Sequence, residues 1–274
     1  MYNQFCGFRS SRSFTMLFVE THTHLDFDEF DADREEVIKR ALDAGVRILI
    51  NVGASLDSSK RAIELAHKYP CIFAAVSVHP HDSHTVDDKV LAEIDELASD
   101  LRVVAIGETG LDFYRNLSPQ EVQKRVFLDF IAIAKKHNKP LIVHSRDSTS
   151  EAISVIAETK PTAGGVFHCY SSSVENAKRI FQLGFLVSVA GNITFSNAEK
   201  LRSKIAQLPI ENLMLETDSP YLAPQQYRGK RCEPAYIPLV ASEVARLHAL
   251  SIETVAEITT KNAKRVFHIS EDVH

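Results

Sequence analysis

Short apolar runs rich in Val and Ile alternate along the chain with longer stretches in which apolar residues recur every three or four positions. The runs lie at 16–21, 46–53, 71–78, 102–108, 139–145, 163–169, 185–191 and 212–218. Each is mainly apolar at successive positions, as expected of strands buried on both faces of a parallel sheet. The intervening period near 3.6 predicts helices over roughly 33–44, 56–69, 119–138, 149–158, 174–183, 197–206, 234–248 and 252–267. In the first, Val37, Ile38, Ala41 and Leu42 share one face and Glu35, Glu36, Lys39 and Arg40 the other. Gly45 follows where a helix stop is wanted. Ser118 before Pro119 predicts an N-cap and a first-turn proline for the longest helix.

Regular strand–helix alternation implies right-handed βαβ units and a parallel sheet. Eight such units within 16–270 predict a closed (β/α)8 TIM barrel, an α/β fold in one domain. No G-x-G-x-x-G or G-x-x-x-x-G-K-[ST] follows a strand, so the open nucleotide-binding sheets lose their usual support. Residues 1–15 carry Arg9, Arg12, several Ser and no acid; they are expected to form a disordered extension, with Met16 as an alternative start.

With 45% hydrophobic and 24% charged residues the chain can bury a large core without staples. A net charge of -5 excludes a generally basic surface, so any bound phosphate must meet a local patch or a metal. The four cysteines show no C-x-x-C spacing and read as free thiols in a reducing compartment. No apolar run approaches the roughly 20 residues of a membrane span. A cytoplasmic monomer or weak oligomer without membrane contact is expected.

Catalytic side chains in such barrels cluster at the carboxyl ends of the strands. Here those ends carry His22 and His24, His79, Glu108, His144, His168 and Asp218. His67, His137, His248 and His268 fall on polar helical positions and read as solvated. The H-x-H pair carries the sharpest signal, because residues two apart on a strand project to one side and can share an ion. His22, His24, Glu108, His144, His168 and Asp218 exceed what one catalytic ion with an open position can use, which points to two divalent ions. Glu108 is the expected bridge, with His22, His24 and Asp218 on one ion and His144 and His168 on the other. Asp218 and Glu108 are the expected catalytic residues, Asp218 also taking a proton from water. Imidazole suits zinc or manganese better than magnesium, although magnesium is the more available. Cys169, next to His168, is expected to point away from it; Glu216 reads as a hydrogen-bonding residue within the barrel or a partner orienting a histidine.

The stretches ETHTHLDF (20–27), VSVHPH (76–81), IGETGLDFYR (106–115), LIVHSRD (141–147), VFHCYS (166–171) and LETDSPYLAP (215–224) resemble the TatD family of metal-dependent deoxyribonucleases. The resemblance runs from about Met16 to about His268. It implies a two-metal hydrolase acting as a 3′–5′ exonuclease on single-stranded DNA or its 3′ ends, with the same six ligands. Ser77 and Cys232 stand where the family commonly has Gly and Asn. Candidate substrate-binding residues are His79, Arg115, Arg146 and Arg228, with Lys230 and Arg231 beside the last; Tyr114 and Tyr221 are candidates for stacking on unpaired bases. The competing readings are a lactonase, amidase or phosphotriesterase of the same architecture, and a non-enzymatic metal or nucleic-acid binder. Many of those hydrolases use a carboxylated lysine at the fourth strand, where this chain has Glu108.

Overall fold

The eight apolar runs become eight parallel strands, hydrogen-bonded in chain order from first to last. They are β1 (Phe18–Thr23), β2 (Val46–Val52), β3 (Ile72–Val76), β4 (Val103–Asp112), β5 (Leu141–Arg146), β6 (Gly165–Phe167), β7 (Phe185–Val189) and β8 (Leu213–Leu215). Helices α1 (Arg34–Asp43), α2 (Leu56–Lys68), α3 (Asp88–Leu97), α4 (Gln120–His137), α5 (Thr149–Thr159), α6 (Val174–Gln182), α7 (Glu199–Ile205) and α8 (Ile237–His248) each follow their strand. A last helix, α9 (Ile252–Val266), closes the order. This computed structural model describes residues 16–270, so the expectation for 1–15 lies outside the described residues.

Two apolar layers hold the barrel. An inner cluster built on Val19, Ile50, Val52, Ala75, Ile142, Val166 and Met214 fills its interior. Val266, Phe267 and Ile269, at the end of α9, join that cluster. Asn262 of α9 donates to the carbonyls of Ile210 and Leu213 at the start of β8, so this helix stops the barrel at the end opposite the polar residues. Between strands and helices lies the larger cluster, with Leu49, Val143 and Val187 against Val37, Phe127 and Val240. Each fully buried side chain of this kind contributes about 1.5–3 kcal/mol. That surplus is what lets the fold bury a set of histidines and carboxylates at its mouth.

Three expectations change. The helix α3 has no counterpart in the predicted set, although Val90, Leu91, Ile94 and Leu97 recur along it at helical spacing and pack on the outer cluster; Ile94 is its one fully buried residue. Ser118 does not cap α4; the N-cap position is Pro119, one residue later, and has no side-chain cap. The Ser118 hydroxyl instead donates to the carbonyl of His81 at 2.7 Å and accepts from the amide of His84 at 3.1 Å, tying down the loop after β3. Strands β6 and β8 are only three residues long, so His168 and Asp218 lie just beyond them, while β4 runs on past Glu108 to Asp112.

The loop between β8 and α8 is tied to α1 by a four-residue ion network. Arg231 meets both oxygens of Asp33 at 2.7 Å, and Arg40 meets both oxygens of Glu233 at 2.8 and 3.0 Å. Arg231 also reaches Glu233 at 3.1 Å. Its hydrogen bonds above all, against a small cost of burial, hold the Asp33 carboxyl at a pKa of about 2. A bidentate, networked pair of this kind is the exception to the weakness of surface ion pairs.

Close approach of β4 to β5 positions the mouth. Gly110 has φ +139°, and a Cβ there would lie 2.1 Å from the carbonyl oxygen of His144. Both the dihedral and the space demand glycine. Gly110→Ala is therefore expected to cost about 2–3 kcal/mol through strain and overpacking. For a chain of this size that is a fall of roughly 4–12 °C in melting temperature. Differential scanning calorimetry checks it, and an unchanged melting temperature would contradict the close β4–β5 contact.

Candidate metal centre

The mouth is assembled where β1 meets the segment after β8. A parallel bridge joins Thr23 to Ser219, the His24 amide donates to Ser219 at 2.8 Å, and the Asp218 amide donates to His22 at 3.0 Å. Glu20, fully buried, accepts from the amides of His22 and Thr217 through one oxygen, at 3.0 and 2.9 Å. Burial pushes its pKa up to about 8 against those hydrogen bonds. These links set the H-x-H pair opposite Asp218, whose φ of +57° turns it into the mouth.

Within this group the donor atoms converge. His22 Nε2 lies 3.2 Å from His24 Nε2 and 3.8 Å from Asp218 Oδ1, and His24 Nε2 lies 3.6 Å from the same oxygen. Glu108 Oε2 approaches His22 at 3.2 Å and His24 at 3.8 Å. Its other oxygen is 2.6 Å from both His144 Nδ1 and His168 Nε2, and 3.3 Å from His79 Nε2. One carboxylate thus faces two histidine sets.

The donor chemistry fits a cation. His24 Nδ1 lies 2.7 Å from the carbonyl of Val52, which can only accept, so that nitrogen carries the hydrogen. In neutral His24 the other nitrogen is then a bare lone pair, aimed at His22 and at a carboxylate oxygen. Acceptors crowded together in this way require positive charge between them. Ligand atoms about 2.1 Å from a shared ion in tetrahedral geometry stand about 3.4 Å apart. The 3.2–3.8 Å separations around His22, His24, Asp218 and Glu108 match that spacing. The His144 and His168 contacts with Glu108 are of hydrogen-bond length instead.

Protonation follows the same logic. Burial opposes charge on His24, yet the Asp218 and Glu108 carboxylates raise its pKa to about 9. His168 is likewise pushed well above the ordinary range by Glu108 against burial. His144 is raised by Asp112 and Glu108. Burial favours a neutral Glu108, but His168, His79 and His22 hold it well below the usual carboxylate range. Asp218 is held down against burial by its histidines. His22 and His79 are lowered, chiefly by burial, His79 to about 4. The charges pair inside a low-dielectric mouth rather than cancel in water.

All six predicted ligands come together in this cluster, and three groups within it have the spacing of metal-ligand sets: His22–His24–Asp218, His79–Glu108–His144 and His22–His168–Glu216. His24, His79, Glu108, His144, His168 and Asp218 line a cavity of about 790 Å³ together with Arg115, Arg146 and Tyr221, and His22 lies behind that wall. Arg228 is not on that wall; its guanidinium lies 4.1 Å over the ring of Phe195. Arg231 is committed to Asp33 and Glu233. Cys169 departs from expectation: β6 has already ended, the residue takes φ +46°, and its thiol faces Asn192 on the cavity wall. Both readings of Glu216 hold in part. It accepts from the Cys169 amide at 2.7 Å and the Ser188 hydroxyl at 2.5 Å, and stands 3.5 Å from His168 Nδ1. Of the helical histidines, His67 and His137 are held by Asp100 and Asp95, and His137 is only part-exposed.

Asp112 was missed by the sequence reading. Buried at the end of β4, it lies 3.1 Å from His144 Nε2 and 2.8 Å from His81 Nε2. It therefore fixes the face His144 turns to Glu108. The available signal was its spacing, since Glu108, Gly110 and Asp112 alternate along one extended strand. No helix among the described residues is long and apolar enough to cross a membrane.

The family model for TatD-related DNases matches residues 19–268. The chain belongs to the TatD family. Among the relatives of this TatD-family chain, an uncharacterized metal-dependent hydrolase, YabD of Bacillus subtilis, is 41% identical over 93% of this chain and 100% of its own length. A protein of Pectobacterium carotovorum named 3′-5′ ssDNA/RNA exonuclease TatD is 34% identical over 90% of this chain and 98% of its own. The crystal structure of YJJV, a TatD homolog from Escherichia coli, superposes with a TM-score of 0.89 at 30% identity, covering 92% of this chain and 98% of that one.

The carboxylate behind His144 gives a measurable expectation. Asp112→Asn removes the charge that orients His144 and should weaken divalent-metal affinity about 10–100-fold. Competition against a chelating dye reads it. Unaltered affinity would mean that Asp112 serves the loop around His81 alone.

Proposed function

We propose that this protein hydrolyses phosphodiester bonds at the 3′ end of single-stranded DNA, using two divalent cations held by the barrel mouth. The observation that carries the reading is Glu108, whose two oxygens face separate histidine sets at 2.6 and 3.2 Å. His22, His24 and Asp218 would hold one ion, His144 and His168 the other, and Glu108 both. Family membership and the exonuclease named among the relatives support the substrate class. When bound, the ions supply positive charge beside the scissile phosphate and acidify water there. Four histidines favour zinc or manganese by affinity, and magnesium by availability alone.

The protein's own groups do the rest. Asp218, 15% exposed where its side chain reaches the cavity, takes the proton of the attacking water on a carboxylate oxygen. Water adds to phosphorus, the bond to the 3′ oxygen breaks, and the proton taken by Asp218 passes to that oxygen, which leaves as the hydroxyl of the shortened strand. Arg146 and Arg115 line the cavity, and among the described residues neither guanidinium is held in an ion pair or hydrogen bond, so both are available to phosphate oxygens. His79 lines the cavity and is held neutral by burial; its Nδ1 accepts from the His81 amide at 3.1 Å, so its one N–H, at Nε2, faces Glu108 at 3.3 Å.

Binding and chemistry should separate at Asp218. Asp218→Asn keeps an oxygen for the ion but loses the basic site, so turnover falls about 10²–10⁴-fold while metal content falls only in part. Glu108→Gln should deplete both ions. Elemental analysis beside hydrolysis of single-stranded DNA at saturating manganese tests this. If Asp218→Asn turns over at the wild-type rate, the proton acceptor lies elsewhere, and His79 is next to be tested.

A further inference from the structure

We infer that a second cavity beside the metal centre holds the nucleoside on the leaving side of the scissile phosphate, with Tyr114 as the surface on which its base stacks. This rests on the exonuclease reading above. The cavity measures about 690 Å³ and opens between the ends of β4, β5 and β6. Sites for small ligands begin at about 300 Å³, so one nucleoside fits with room for its sugar. It shares Ser145, Arg146 and Ser171 with the metal cavity. A chain passing from one space to the other therefore crosses Arg146, two residues beyond His144 on the same strand.

The walls sort the parts of a nucleotide by charge. Asp147 and Glu151 lie on the second cavity, and Lys124 neutralises only Glu151, at 2.9 Å. A phosphate deep in this space would meet Asp147, whereas a neutral base and sugar would not. Hydroxyls suited to a sugar are present: Ser145 and Thr149 are 3.2 Å apart, and Ser172 accepts from Asn176 at 3.0 Å. The phosphate belongs at the junction, where Arg146 offers its guanidinium edge. The plane of that group is fixed by Tyr114, whose ring lies 4.0 Å from it. Tyr114 is nevertheless 60% exposed, among the most exposed large apolar side chains described. An aromatic ring held in place by a cation and left open to a cavity is a stacking platform.

The test compares two substrates. The p-nitrophenyl ester of thymidine 5′-phosphate carries the terminal nucleoside and phosphate but replaces the leaving nucleoside; thymidylyl-thymidine carries both nucleosides. Base–aromatic stacking corresponds to about 5- to 150-fold in binding. Tyr114→Ala is expected to lower kcat/KM for thymidylyl-thymidine by such a factor and to leave the value for the ester within about threefold of wild type. Tyr114→Phe, which keeps the ring, should restore it. In chelator, with no metal bound, fluorescence anisotropy of a labelled pentathymidylate should show Kd rising by a similar factor for Tyr114→Ala. An equal fall for both substrates, or no fall for thymidylyl-thymidine, overturns the assignment of this cavity and leaves the exonuclease reading standing. Wild-type protein that cleaves neither substrate overturns the exonuclease reading itself.

Discussion

A row of parallel strands becomes a mouth only when its first and last members meet, and here they meet over very few residues. β8 is three residues long, so the seam with β1 is carried mostly by groups beyond it: the Thr23–Ser219 bridge, the amide of Asp218 on His22, and the buried carboxyl of Glu20. The same few hydrogen bonds close the barrel and bring two histidines to an aspartate. Stability and site geometry are one constraint at this seam, and the apolar layers inside and outside the barrel supply the energy that tolerates it.

Much of this was legible in the order of residues. Apolar runs and helical periods gave eight strands and eight of the nine described helices, and candidate site residues stood out at the ends of six of the eight runs. The alternation rule then works cleanly on β5, β6 and the segment after β8, where Ile142, Val166 and Met214 of the inner cluster are followed two or four residues later by His144, His168 and Asp218. On β1 and β4 it fails. Val19 and Ala105 also face the interior, yet His22 and Glu108 follow them at an odd spacing. Register shifts lie in both strands, between Glu20 and Thr23 and between Ile106 and Thr109. A bulge that re-aims a side chain is a property of pairing, and pairing is not written in a local pattern.

The same limit explains the remaining misses. Cys169 reads as outward-facing only while the strand is assumed to continue, and a left-handed residue breaks that assumption. Ser118 has the sequence of a cap but finds acceptors and donors on a loop that is distant along the chain. Asp112 is silent in a hydropathy pattern because its role depends on two distant histidines, His144 on β5 and His81 in the loop after β3. Each is a long-range contact overriding a local preference.

The ion network of Arg40, Asp33, Arg231 and Glu233 joins α1 to the loop after β8, outside the strands. The first and last quarters of the barrel are therefore riveted twice, once inside and once outside. Tied in both places, β1, α1 and the loop after β8 form one unit that carries His22, His24 and Asp218. His144 and His168 belong to β5 and the end of β6; Glu108 meets both sets, and the ring of His22 stacks on that of His168 at 4.1 Å. Any strain that would part the two sets falls on the same few contacts, the Glu108 carboxylate and the stacked rings of His22 and His168.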